Sequence, residues 1–240
     1  MLDRESSKRS QSDYDAVGKE PSPKKNRASF PLVGVGASAG GLDAFKQLLR
    51  HLEIDTGMAF VLIQHLAPEH QSLLAELLGR ITPMPVCEVT NGIEIAPNRV
   101  YTIPPNTSMK LVGRVLHLSP RERTRRGFMP VDRFFESMAA ECGRMGIGVV
   151  LSGTDGDGAV GLAAIKAAGG ITFAQDLLSA QFGGMPEHAA QTGRVDFILP
   201  PQEIAAQLNE IGRQWQLEPG SKIEDRRSKI DSNRHQMLNP

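Results

Sequence analysis

Three short stretches of this 240-residue chain place side chains where acyl-transfer chemistry could run. The first is Gly36-Ala37-Ser38-Ala39-Gly40-Gly41, which follows an apolar run ending at Val35 and precedes a segment of helical periodicity. It meets the G-x-S-x-G pattern of a nucleophile elbow, in which glycines let a strand turn sharply into a helix and expose the serine hydroxyl. Backbone N–H groups there, those of Ala39 and Gly40, would face an oxyanion forming at Ser38, and the helix dipole favours negative charge at that end.

The second stretch is Gln64-His65, directly after the apolar run MAFVLI. An imidazole at that point, one strand–helix unit from Ser38, could take the hydroxyl proton. The remaining histidines suit the role less: His51 ends a helix, His70 lies in the following loop, His117 falls in a hairpin and His188 opens a short helix. The third stretch, Gly153-Thr154-Asp155-Gly156-Asp157-Gly158, follows GIGVVLS. Asp157 could hold and stabilise the imidazole, with Thr154 lining the site loop.

Each stretch also has a plainer explanation. Ser38 could cap a helix, Asp157 could cap the helix that follows it, and a lone histidine can be structural. Gly34-Val35-Gly36-Ala37-Ser38-Ala39-Gly40 also resembles a dinucleotide-binding turn, with phosphate at the helix N-terminus. A Rossmann unit wants an acid at the end of its second strand, whereas this one ends in Gln64-His65, and Asp55 stands at the wrong end. What favours catalysis is convergence, because Ser38, His65 and Asp157 all follow predicted strands and so share one edge of one sheet. Two acids are too few ligands for a metal site, so neither metal nor cofactor is expected.

The elements that must hold these loops are legible as short β-branched runs alternating with helical patterns. FPLVGVG, MAFVLIQ, GIGVVLS, GITFAQ and VDFIL read as strands buried on both faces, the mark of a parallel sheet. Between them, Leu42, Phe45, Leu49 and Leu52, then Val131, Phe134, Phe135 and Met138, and last Ile204, Leu208, Ile211 and Trp215 recur at helical spacing. From Ile93 to Leu118 the alternation breaks into short strands punctuated by Pro, Asn and Gly, which predicts an antiparallel hairpin insertion. The expected fold is α/β: a doubly wound, mainly parallel sheet with helices on both faces and that hairpin at the edge.

Composition narrows the setting. With 40% hydrophobic and 22% charged residues the chain can bury one substantial core. Lys+Arg and Asp+Glu balance at 27 each, so no overall field favours nucleic acid or an anionic membrane. Cys87 and Cys142 stand far apart outside any metal-binding spacing, which suits a reducing, cytoplasmic setting. No apolar run approaches the roughly 18 residues of a spanning helix, so no membrane insertion is expected. Residues 1–28 are polar and are expected to be a disordered tail; residues 29–217 form the domain; residues 218–240 are again polar, a disordered tail or linker.

The motifs GVGASAGG, IQHLAPEH, GIEIAPNRVYTIPPN, PVDRFF, VLSGTDGDGAVGL and QFGGMPEHA occur in the order seen in the chemotaxis protein-glutamate methylesterase (CheB) domain, which the chain resembles from Phe30 to Trp215. The resemblance implies hydrolysis of methyl esters on chemoreceptor glutamates, with glutamine deamidation as a second activity. It implies methylated receptor helices as partners and a methyltransferase as a further one. By position, the family's serine, histidine and aspartate fall on Ser38, His65 and Asp157. Two departures stand out: residues 1–28 cannot form the family's usual receiver domain, as in the branch fused to methyltransferases, and Asp155 stands where the resemblance leads one to expect glycine. Receptor methylation helices tend to be acidic, and Arg114, Arg121, Arg123, Arg125 and Arg126 face only Glu122 in their segment, so Arg121, Arg123, Arg125 and Arg126 are candidates for docking them. Two rival readings remain beside the esterase: a non-catalytic receptor-binding module of the same fold, and a Rossmann-type nucleotide-binding protein.

Overall fold

Strand-forming runs and amphipathic helices alternate along the chain much as their residue patterns dictate. The computed structural model describes residues 30–64, 73–121 and 127–217. The two expected tails, together with His65, Arg123, Arg125 and Arg126, lie outside the described residues. Strand β1 (Leu32–Ala37) leads into helix α1 (Gly41–His51), then β2 (Ala59–Gln64) and α2 (Leu74–Gly79). Five short strands follow: β3 (Val86–Glu88), β4 (Ile93–Glu94), β5 (Arg99–Thr102), β6 (Thr107–Val112) and β7 (Val115–Pro120). The remainder alternates as α3 (Pro130–Cys142), β8 (Gly146–Val150), α4 (Ala159–Ala167), β9 (Ile171–Gln175), α5 (Gly184–Gln191), β10 (Phe197–Leu199) and α6 (Pro201–Leu217).

Seven strands form one sheet in the order β10-β9-β8-β1-β2-β5-β3, and all its pairings are parallel. From β1 the chain winds outward through β2 to one edge, then returns to lay β8 on the other side of β1 and winds to the opposite edge. Sheets of this kind bind ligands at the carboxyl ends of the strands that flank such a reversal, here β1 and β8.

The period-two alternation of the strands divides the core between two faces. Val33, Val35, Phe60, Leu62, Val149 and Phe173 pack with Phe45 and Leu48 of α1 and Ile204 and Leu208 of α6. On the other face Leu32, Val61, Ile63 and Val150 meet Val131, Phe134, Phe135 and Met138 of α3 and Leu162 and Ile165 of α4. Burying each of these large apolar side chains contributes roughly 1.5–3 kcal/mol. On β1 this second face carries Gly34 and Gly36, because α3 lies too close for anything larger. A methyl at Gly34 would sit 2.8 Å from the Phe135 ring, and one at Gly36 would overlap Val131. The doubly wound architecture with helices on both faces is therefore as the residue pattern predicts.

The expected antiparallel insertion is also present, as a three-stranded sheet in the order β4-β7-β6 whose apolar residues Met109, Leu111 and Leu116 join the core around α3. It divides the 93–118 stretch in one unforeseen way. Arg99–Thr102 pairs in parallel with β2 and with β3, inside the large sheet. Val100, Tyr101 and Thr102 are buried there on both faces. At three and four residues, β3 and β5 are too short for their patterns to distinguish this from a meander. No helix among the described residues is long and apolar enough to cross a membrane.

Candidate active site

Ser38 follows the last residue of β1, and its backbone continues the ladder for one more step: the Ser38 N–H donates to the Ser152 carbonyl at 2.9 Å. The chain then turns through Gly40, which adopts a left-handed conformation (φ 72°) that a side chain would oppose, and enters α1. The Ser38 carbonyl accepts from the Gly41 N–H at 2.9 Å, closing the turn. Among the described residues no hydrogen bond reaches Ser38 Oγ, and the N–H groups of Ala39 and Gly40 find no acceptor. Ser38, Ala39 and Gly40 are all half-buried. This is a hydroxyl and two amide donors held together at a helix N-terminus, none of them committed to a partner among the described residues.

Asp157 lies in the loop after β8, the strand beside β1, and is fully buried. Its Oδ2 accepts from the Val131 N–H at 2.9 Å and its Oδ1 from the Asp132 N–H at 2.8 Å. The carboxylate therefore caps α3, 25 residues earlier in the chain, where a helix N-terminus favours negative charge. Its own following helix, α4, starts at Gly158 with no side-chain cap at that residue. The reciprocal bond comes from Asp132, whose Oδ1 accepts from the Gly161 N–H of α4 at 2.8 Å. Burial pushes the Asp132 carboxyl up to about 6; the Gly161 hydrogen bond opposes that shift and the neighbouring Asp157 charge adds to it. Gly161 makes the exchange possible, since a methyl there would lie 2.8 Å from the Asp132 carbonyl oxygen. Asp155 turns back on the same loop, its Oδ1 accepting from the Asp157 N–H at 3.1 Å.

The two loops touch through Gly153. A methyl at Gly153 would stand 3.0 Å from Ser38 Cβ and overlap the Met185 sulfur, so glycine leaves the room in which the serine side chain sits. Thr154 is exposed, with its carbonyl packed against Gly184 of α5. Arg121 is half-buried, its guanidinium stacked 4.1 Å from the Phe128 ring centre. Arg114 is occupied elsewhere, over Phe30 and beside Glu94 at 3.7 Å. His51 and His188 bond carbonyls of their own helices. His188 packs beside Gly156 in the aspartate loop. Among the described residues no group of three or more His, Cys, Asp or Glu side chains could hold a metal ion. The end of β2 carries Gln64 where a ribose-binding acid would stand in a dinucleotide site.

Three residues that the sequence reading passed over support this arrangement. Ser152, buried at the end of β8, bonds both the serine loop and Phe182. Gln175, at the end of β9, accepts from the Ser152 N–H at 2.9 Å. Asp132 completes the double cap. Their partners lie 23 or more residues away, and no local pattern announces such contacts.

Comparison with known proteins identifies the family and the fold. The model of the CheB methylesterase family matches residues 33–208. A protein-glutamate methylesterase/protein-glutamine glutaminase of Photorhabdus laumondii is 37% identical over 177 residues, which is 72% of this chain and 50% of that protein. A similarly named protein of Hahella chejuensis is 35% identical over 210 residues, covering 85% of this chain and 56% of the relative. An uncharacterized 104.1 kDa protein of Rhodobacter capsulatus is 47% identical over 131 residues, only 14% of its length, so the chain spans about half or less of these curated relatives. The crystal structure of the Thermotoga maritima CheB methylesterase catalytic domain superposes with a TM-score of 0.71 at 27% identity, covering 76% of this chain and 98% of that domain. With a matching family model over most of its length and a matching fold, this chain belongs to the CheB methylesterase family.

Proposed function

We propose that residues 29–217 form the catalytic domain of a protein-glutamate methylesterase acting on chemoreceptors, with Ser38 as nucleophile, His65 as general base and Asp157 as the orienting carboxylate. The observation that carries this reading is the uncommitted hydroxyl of Ser38 beside the uncommitted N–H groups of Ala39 and Gly40. It stands in a family whose relatives are named methylesterases. The β1–β2 register pairs Ala37 with Gln64; Ser38 is the residue bonded to the first and His65 the residue bonded to the second. Each Asp157 oxygen accepts one backbone hydrogen bond, and a carboxylate oxygen can accept two, as bonding an imidazole N–H as well would require.

In this mechanism Ser38 Oγ bonds to the γ-carbonyl carbon of a glutamyl methyl ester while His65 takes the hydroxyl proton. The N–H groups of Ala39 and Gly40, with the Thr154 loop alongside, receive the oxyanion. The C–O bond to the methoxy group then breaks and methanol leaves with the proton from His65. Water, deprotonated by the same imidazole, hydrolyses the glutamyl-enzyme, restoring Ser38 and releasing the free carboxylate. Replacing methanol by ammonia gives glutamine deamidation by the same steps. No cofactor or metal enters. The substrates are methylated cytoplasmic receptor helices, docked in part by Arg121, Arg123, Arg125 and Arg126, and a methyltransferase would regenerate the ester; both place the chain in the cytoplasm.

The test is methanol release from a methylated receptor helix. Wild type should release it, and Ser38→Ala should fall to background. Full activity in Ser38→Ala would end the mechanism.

A further inference from the structure

We propose that Ser152 is a positioning residue that aims the Gly40 N–H at the oxyanion, an inference that rests on the esterase reading above. Ser152 is buried, and its main chain and side chain grip the serine loop at successive residues. Its carbonyl accepts from the Ser38 N–H at 2.9 Å. Its Oγ donates to the Ala39 carbonyl at 2.9 Å, with the Phe182 carbonyl at 3.3 Å as a second acceptor, and accepts from the Phe182 N–H at 3.0 Å.

The consequence follows from the peptide bond itself. In a planar trans peptide the C=O of one residue and the N–H of the next point in opposite directions. Drawing the Ala39 carbonyl inward to Ser152 therefore turns the Gly40 N–H outward, and no described residue accepts from it there. Gly40 must be glycine for this grip as well as for its left-handed backbone, because a methyl on it would stand 2.7 Å from Ser152 Oγ and 2.8 Å from Gln181 Oε1. The hydroxyl is itself held: the Ser152 N–H donates to Gln175 Oε1 at 2.9 Å, and Gln175 Nε2 donates to Ser179 Oγ at 3.2 Å. Donors aimed before the charge develops are what make an oxyanion site effective, so losing the aim should slow the chemical step without weakening substrate binding.

The experiment compares wild type, Ser152→Ala, Ser152→Cys, Ser152→Thr and Ser38→Ala in the full chain. Amide NMR of the Ser38–Gly41 loop reads the geometry without any reaction. Methanol release from a methylated receptor helix reads its effect. In Ser152→Ala the Gly40 amide resonance should move and kcat should fall roughly 10- to 100-fold with KM changed by less than about twofold. Ser152→Thr, which keeps the hydroxyl, should restore both. Ser152→Cys, of similar size but a weak donor, should fall between them and serves if the alanine variant does not fold. Loop resonances at wild-type positions, an unchanged kcat, or a loss confined to KM would each overturn the assignment of Ser152. Activity persisting in Ser38→Ala would instead overturn the esterase reading, and the NMR comparison would still judge whether Ser152 sets the Ala39–Gly40 peptide.

Discussion

The loops after β1 and β8 are neighbours built on opposite plans. Around Asp157 the carboxylate accepts two backbone bonds from α3, Asp155 bonds its amide, and Asp132 returns a bond to α4. Around Ser38 the hydroxyl and the next two N–H groups have no partner among the described residues. The first loop commits its polar groups to holding a side chain still, and the second leaves a hydroxyl and two amides without partners among the described residues. The proposed mechanism needs both, since the acid must hold the imidazole in place and the hydroxyl must be open to bond that imidazole.

Substitutions can break this contrast in order of size. Asp157→Ala should lose both properties at once. Activity should fall about 10³- to 10⁴-fold, as when a triad carboxylate is lost, and stability by roughly 2–4 kcal/mol as two buried N–H groups lose their acceptor. Ser38→Ala should match the loss of activity with an unchanged melting temperature, and Asp155→Ala should cost far less activity than Asp157→Ala. Methanol release and denaturant melts on the three variants check this; equal activity losses at Asp155 and Asp157 would reject the assignment.

A smaller effect concerns pH. The Asp132 carboxyl is raised from an ordinary 3.8 to about 6, so the stability associated with its protonated form is full below 3.8 and is lost as pH rises through about 6. Asp132→Asn keeps the acceptor for Gly161 without the charge. Its melting temperature relative to wild type should climb between pH 4 and pH 8, and a flat difference would show that Asp132 does not titrate in that window. Smallest is Arg121→Ala, which removes a cation stacked at 4.1 Å on Phe128. It should raise KM for an acidic receptor helix modestly at low salt and not at high salt. Identical KM values for the two proteins at every salt concentration would remove Arg121 from docking.

Where the chain could be read from its sequence, the physics was local. Runs such as PLVGVG and GIGVV are short, apolar and bounded by turn residues, as buried strands are, and their ends mark the loops that carry Ser38 and Asp157. The spacing of Val131, Phe134, Phe135 and Met138 fixed the inner face of α3 in the same way. Where the reading fell short, the cause lay in tertiary partners. Asp157 had a plain alternative as the cap of its own helix, yet its oxygens go to α3, because Gly158 and Gly161 let the two helices approach. Ser152 offered no signal at all, being one hydroxyl at the end of a strand whose value depends on Ala39 and Phe182 arriving beside it. Arg99–Thr102 was misassigned to the insertion because four residues are too few to show which sheet will bury them.

The exchange of caps between α3 and α4 has a bearing on assembly. Neither helix start is satisfied alone: Val131 and Asp132 need an acceptor that arrives after β8, and Gly161 needs one that comes from before it. A partly folded chain with one of these helices docked and the other loose would leave buried amides bare on both. Asp157 thus reaches its capped position only when the helices on either side of β8 dock together, so the segment from α3 to α4 should order as one cooperative unit.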